Sequence, residues 1–300
     1  MSLNLQLGTI PSKVLLFGEY TILQGSDALA IPNFDLYTFW KDNGDKKKQL
    51  NLSDFAAFLA QTSLPFSLDL ASLNNDLKNG WYLHSNIPTG YGLGSSGAVV
   101  AAIVEKYGSN YEGLDLEVLH QSLAKMEGFF HGASSGIDPL VCLLKKPVLI
   151  KNGGQIEILN SFIEKSHLPN TFLLDSKQSR KTGPLVAHFK EMAEKPGFQS
   201  MLKVGLIPAQ NRAITTFLNG EMKSFWQALE SISSLQFEFF QKMILKEQLE
   251  YWKEGLENKN YFLKLCGAGG GGFLLAFSKE ETLTSPFPAR KINFDFSPFK

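Results

Sequence analysis

Over the first hundred residues the apolar positions fall in short clusters rather than at helical spacing. "LNLQL", "KVLLFG", "ALAIP", "LYTFW" and "WYLHS" are β-branched or aromatic-rich and bounded by Gly, Pro, Asn or Asp, which predicts strands joined by turns. The pattern then changes period. Val99 to Tyr107 begins a helix, "LEVLHQSLAKMEGFFHG" repeats apolar residues at three- and four-residue intervals, and "GIDPLVCLL" predicts a shorter, more buried helix. "PVLIKNGGQIEIL" carries a hairpin signal at Asn152, Gly153 and Gly154, and "NTFLLDS" reads as the next strand.

From Gly183 to Gly255 the spacing is helical, in "PLVAHFKEMAEK", "AITTFLNGEMKSFWQALESISSLQFEFF" and "EQLEYWKEGLE". Strand patterns return in "YFLKLCG", "GFLLAF" and "RKINFDF". Strands and helices followed by helices and strands predict an α+β protein in two halves, with a boundary between about residues 150 and 175. No internal repeat interrupts this order.

Composition narrows the partners. The 300 residues, 44% of them hydrophobic, suffice for a large core. Lys+Arg and Asp+Glu both number 29, so no global charge points to nucleic acid or an anionic membrane. Any anion must be held locally. No run of eighteen apolar residues and no basic-then-apolar leader occurs, which predicts a cytoplasmic chain without a membrane anchor. Cys142 and Cys266 lack metal-ligand spacing and read as buried free thiols.

Three places concentrate small residues. The stretch "SNIPTGYGLGSSGAVVAAIVEKYG" sets Gly90, Gly92, Gly94 and Gly97 just ahead of a helix. Its G-x-G-x-x-G match invites a dinucleotide fold, but the residues around Glu112 read as helix, loop, helix instead of βαβ. What survives is an anion cradle: glycines let backbone amides approach a ligand, and the helix start adds unpaired amides and a positive dipole end. Ser95 and Ser96 either cap that helix or reach a metal held by phosphate oxygens. A second run, "KLCGAGGGGFLLAF", has five glycines among Gly267 to Gly272 and predicts a close backbone approach. In the third, "MEGFFHGASSGIDPL", Glu127 and His131 share a helical face, while Asp138 stands where it could equally cap the helix that Pro139 begins.

Taken in order, these motifs resemble those of the GHMP kinases, the superfamily of galactokinase, homoserine kinase, mevalonate kinase and phosphomevalonate kinase. "PSKVLLFGEYTILQGSDALAIP" resembles the first family motif, "PTGYGLGSSGA" the second and "KLCGAGGGGFLLAF" the third; together they span residues 11 to 277. "EGFFHGASSGID" is similar to the mevalonate kinase pattern of Glu preceding H-G-x-x-S-G-x-D. The resemblance implies a ribosomal-protein-S5-like N-terminal domain over residues 1–165 and a ferredoxin-like α/β domain over 166–300, with the active site between them. It also implies ATP and Mg²⁺ as cofactors, a small-molecule alcohol as acceptor, and a homodimer as an available assembly.

Residue by residue, the resemblance places catalysis on Asp138 and Lys13. Phosphate binding falls on Pro88, Gly90, Gly92, Leu93, Gly94, Ser95, Ser96 and Gly97. Magnesium falls on Ser96 and Glu127, and acceptor contacts on Glu19, Tyr20, Thr182 and Gly269, Thr182 lying in "DSKQSRKTGPLV". Tyr20 departs from the histidine usual in mevalonate kinases and is more like phosphomevalonate kinases. The expectation is therefore a mevalonate kinase-like enzyme, with phosphomevalonate kinase or another GHMP kinase as the alternative and a non-catalytic regulatory or binding protein of the same fold as the reading from another class.

Overall fold

The computed structural model describes residues 8–42, 52–160, 168–180 and 182–294; the expected strand "LNLQL" lies outside them. The chain opens with β1 (Ile10–Phe17) and β2 (Ala28–Lys41), then α1 (Leu52–Ala60), β3 (Ser67–Leu68), α2 (Leu70–Lys78) and β4 (Tyr82–Ser85). There follow α3 (Ser95–Tyr107), β5 (Gly108–Ser109), α4 (Leu116–His131), α5 (Ile137–Leu144), β6 (Val148–Ile150) and β7 (Ile156–Ile158). The remainder is β8 (Asn170–Asp175), α6 (Thr182–Ala193), α7 (Pro196–Met201), a π-helical turn at Leu202–Leu206, α8 (Ile207–Asn219), α9 (Met222–Phe239), α10 (Lys246–Asn258), β9 (Tyr261–Leu265), β10 (Phe273–Ser278) and β11 (Ala289–Lys291).

Two antiparallel sheets organise these elements. One runs β1-β2-β6-β7, with β4 also paired to β2; the other runs β11-β8-β10-β9. The α+β reading holds, with four differences in detail. "ALAIP" and "LYTFW" form one fourteen-residue strand, because Pro32 pairs opposite Lys13 next to a register shift at Pro11/Ser12, where a missing N–H is tolerated. Helices α1 and α2 occupy a region read as strands and turns. Leu52, Phe55, Ala56 and Leu59 bury one face of α1, and the Asp69 carboxylate caps α2 by accepting from the Ser72 amide at 2.9 Å. The long helical run after Ala213 breaks at Gly220, whose φ of 73° ends α8. The "RKINFDF" strand is confined to β11 within the described residues.

Phe17, at the end of β1, joins the core of the first sheet to that of the second. Its ring stacks on Phe277 of β10 at 5.7 Å and meets Phe217 of α8 and Phe225 of α9 edge-on at 6.1 Å each. Helix α3 is buried without interruption from Gly97 to Val104. An all-apolar helix of this kind is stable only when covered on several sides, here by the first sheet and α5.

The tightest approach is at Gly97. A Cβ there would lie 2.6 Å from the Pro139 nitrogen and 2.7 Å from the Asp138 carbonyl carbon, so the first turns of α3 and α5 are in backbone contact. Rigid main chain cannot yield as a flexible side chain does. Gly97→Ala is therefore expected to destabilise the fold by about 1–3 kcal/mol, the range for an inserted methyl in a packed interior; urea unfolding midpoints would register it, and an unchanged midpoint would contradict the contact.

Candidate active site

The loop before α3 is bent by three glycines at positive φ, Gly90 (78°), Gly92 (75°) and Gly94 (73°), the last forming the N-cap of α3. L-residues with a Cβ adopt this region at a cost, which accounts for their spacing. The Lys13 amide donates to the Leu93 carbonyl at 3.0 Å, fixing the loop to β1. Ser95 and Ser96 begin the helix partly exposed, so the open amides of its first turn face outward beside their hydroxyls. Pro88 is partly buried at the loop's entrance, and Leu93 points into the core.

Beneath Gly94 lies an ion pair. Lys13 Nζ stands 2.8 Å from Asp138 Oδ1 and 3.5 Å from the Gly92 carbonyl. A Cβ on Gly94 would come within 3.3 Å of Asp138 Oδ2 and 3.4 Å of Lys13 Cβ, so both charges abut the loop. Lys13 is only 6% exposed. Burial works against its ammonium, but Asp138 outweighs that penalty and carries the Lys13 pKa above its ordinary value. Asp138, on the first turn of α5 and 29% exposed at its side chain, keeps access to solvent.

Glu127 stands beside this pair. Ser96 Oγ donates to its Oε1 at 2.7 Å and also lies 2.9 Å from His131 Nε2, while Ser134 Oγ donates to its Oε2. Burial first, and the neighbouring Asp138 carboxylate second, push the Glu127 pKa up against the opposing pull of the two serines and Lys13. Two carboxylates and one ammonium leave this corner short of positive charge. Hydroxyl and carboxylate oxygens are hard donors suited to Mg²⁺, an ion that usually takes few protein ligands and completes its shell with water and phosphate. No group of three or more His, Cys, Asp or Glu side chains that could hold a metal ion occurs among the described residues.

The expected site residues thus divide into two groups. Lys13, Glu127, Asp138, Ser96 and the glycine loop come together. Glu19 and Tyr20, expected at the acceptor, are closed off from solvent. Glu19 is wholly buried in an ion pair with Lys264, and that lysine also donates to the Leu265 carbonyl at 2.8 Å. Burial raises the Glu19 pKa, and the Lys264 charge opposes it. Tyr20, in a left-handed conformation at φ 61°, donates to the Ala268 carbonyl at 2.7 Å and stacks on Phe189 at 4.7 Å. Thr182 is exposed at the start of α6. Gly269 is buried, its carbonyl accepting from Arg180 at 3.2 Å.

Arg180 is a residue the sequence reading passed over. Its Nη1 donates to the carbonyls of Cys266, Gly269 and Gly271 at 3.0, 3.2 and 3.3 Å, and its backbone amide donates to Gly90 at 3.3 Å. A Cβ on Gly92 or Gly267 would strike its Nη2, so both glycine runs make room for one guanidinium. Its Nε has no partner among the described residues. The available signal was scarcity, since Arg180 is one of only three arginines in the chain and falls between two glycine-rich motifs. Lys264 had its own signal, a lone cation in the apolar strand "YFLKLCG".

Comparison with known proteins places this geometry. Residues 58–146 match the GHMP kinases N-terminal domain. Over 92% of its length the chain is 23% identical to a mevalonate kinase of Archaeoglobus fulgidus and 28% identical to one of Pyrococcus abyssi, covering 93% and 89% of those proteins. The fold superposes on the L. major mevalonate kinase crystallised with R-mevalonate with a TM-score of 0.62, at 18% identity, covering 91% of this chain and 87% of that one. It superposes equally on a Streptococcus pneumoniae phosphomevalonate kinase, with a TM-score of 0.61 at 18% identity and coverage of 91% and 92%. With the glycine loop, the Lys13–Asp138 pair and the glycine run at Gly267–Gly272 in the order expected from the sequence, the chain carries a GHMP kinases N-terminal domain over residues 58–146 and is similar to mevalonate kinases over nine-tenths of its length.

Proposed function

We propose that the protein is an ATP-dependent kinase that phosphorylates the hydroxyl of mevalonate. The observation that carries the reading is the Lys13–Asp138 pair at 2.8 Å, packed against the N-cap of a buried helix whose glycine loop is shaped for phosphate. The relatives named above are mevalonate kinases and align over nine-tenths of the chain, which supports mevalonate as the acceptor.

The loop from Pro88 to Gly97 offers amides and the positive end of α3 to the triphosphate of ATP. Ser96 and Glu127 would hold Mg²⁺, which when bound supplies charge neutralisation at the phosphate oxygens. Asp138 orients the acceptor hydroxyl and takes its proton as the oxygen bonds to the γ-phosphorus and the bond to ADP breaks. Lys13 steadies the negative charge spread over the transferring group, and Arg180 places a second cation between the two glycine runs. Glu19 and Tyr20 serve the acceptor side from behind, by fixing the loop that follows β1 to Lys264 and Ala268.

Tyr20 and the phosphomevalonate kinase fold likeness favour one second reading, in which the acceptor is phosphomevalonate. The two separate in a coupled assay of ADP release with Mg²⁺-ATP and mevalonate, phosphomevalonate, homoserine or galactose. Mevalonate is expected to give the highest kcat/KM; turnover on phosphomevalonate alone would overturn the assignment in favour of the second reading, and ADP release with none of the four would overturn both.

Glu127 also makes a pH-dependent prediction for metal-free protein. Its pKa is raised on folding, so the protonated form is favoured in the folded state, and the associated stability is full below the unfolded value and lost as pH rises through the folded one. Glu127→Gln keeps the shape and removes the titration. Relative to that variant, wild-type protein in EDTA should lose thermal stability as pH rises above about 4.3, the ordinary glutamate value, towards neutrality. Parallel melting curves across that range would contradict the burial of an ionisable Glu127.

A further inference from the structure

The chain has two adjacent serines, Ser134 and Ser135, in the loop between α4 and α5, and the family pattern H-G-x-x-S-G-x-D aligns its serine with Ser135. The hydrogen bonds do not follow that alignment. Among the described residues Ser135 Oγ accepts only from the Ile137 amide, at 3.5 Å, whereas Ser134 Oγ donates to Glu127 Oε2 and accepts from the Gly136 amide at 2.9 Å. Positive φ at Gly132 (77°) and Gly136 (74°) folds the loop back so that Ser134 returns to the last turn of α4, where Glu127 sits.

The two oxygens of Glu127 therefore have separate tasks. Oε1 faces Ser96, whose single hydroxyl is shared between Glu127 and His131. Ser134 lies on the other oxygen, and its own position is fixed by a main-chain amide. Glu127 is only 4% exposed, so no bulk water stands ready to replace that donor.

We infer that Ser134 is a positioning residue for the divalent cation: its hydroxyl holds Glu127 Oε2 so that Oε1 is presented beside Ser96. The inference rests on the reading of Ser96 and Glu127 as the metal ligands. Hydrogen-bonded partners of a ligating carboxylate typically govern affinity by 10- to 100-fold, although they never touch the ion. A serine that merely closed the turn to Gly136 would affect the fold and all ligands alike, without preference for the cation.

The test titrates the full-length protein with Mn²⁺ in the presence of ADP, reading free Mn²⁺ by electron paramagnetic resonance, and measures ADP binding separately in EDTA by equilibrium dialysis. Ser134→Ala is expected to raise the Mn²⁺ concentration for half-saturation at least about tenfold while ADP affinity in EDTA stays within about twofold, and Ser134→Thr, which keeps the hydroxyl, should restore wild-type Mn²⁺ binding. Should Ser134→Ala lose its circular dichroism spectrum, Ser134→Cys, a weaker donor of similar shape, carries the same expectation of weakened Mn²⁺ binding. Unchanged Mn²⁺ binding, or an equal loss of ADP affinity in EDTA, would overturn the role of Ser134. Glu127→Gln separates the layers: if it loses Mn²⁺ while Ser134→Ala does not, only the Ser134 role falls, and if it binds Mn²⁺ as wild type does, the ligand assignment falls and takes the Ser134 role with it.

Discussion

The backbone contact between the first turns of α3 and α5 is the constraint on which the site depends. Gly97 permits it, and through it the end of the glycine loop and the Asp138 backbone share one rigid junction. Lys13 is fixed to the same junction twice, by its amide to Leu93 and by its ammonium to Asp138. A displacement of any one of these elements would move the other two. Groups that must align reacting atoms within a fraction of an ångström are best mounted on such shared, side-chain-free contacts.

The distribution of charge follows from the same economy. A chain with 29 acidic and 29 basic residues offers an anionic substrate no long-range attraction, so the cations that matter are local. Three of them are buried or nearly so: Lys13 on Asp138, Lys264 on Glu19, and Arg180 among the carbonyls of Cys266, Gly269 and Gly271. Each buried cation has partners that offset its desolvation, and a pair deprived of one member would leave an uncompensated charge. Lys264 and Arg180 also reach across to residues 19 and 90 from the C-terminal half of the chain. The site is thus assembled from both sheets, and Phe17 packs their cores together directly behind it.

Much of this was legible in the sequence, and for definable reasons. Glycines that demand positive φ, an unbroken apolar helix after them, and Glu127, His131 and Asp138 at fixed offsets are local signals, and the structure brings Ser96, Glu127, Lys13 and Asp138 together. The fold class followed from periodicity. Helices α1 and α2 were missed because their apolar faces are short and their polar residues resemble turns; the cap at Asp69 was the sign available. Arg180, Lys264 and Ser134 eluded the reading for a different reason. The contacts Ser134–Glu127, Arg180–Cys266 and Lys264–Glu19 join residues 7, 86 and 245 positions apart, across loops whose path no local pattern specifies. Glu19 and Tyr20 show the converse: motif position placed them near the acceptor, while tertiary pairing with Lys264 and Ala268 turned them inward.

The central claim is that the Lys13–Asp138 pair is where phosphoryl transfer occurs. The most direct measurement is kcat on mevalonate for Asp138→Asn alongside the dissociation constant of ATP. The account predicts a kcat lowered at least about 10²-fold, with ATP affinity within about threefold of wild type, because Asp138 acts on the acceptor hydroxyl and the glycine loop holds the nucleotide. A near-normal kcat would contradict it.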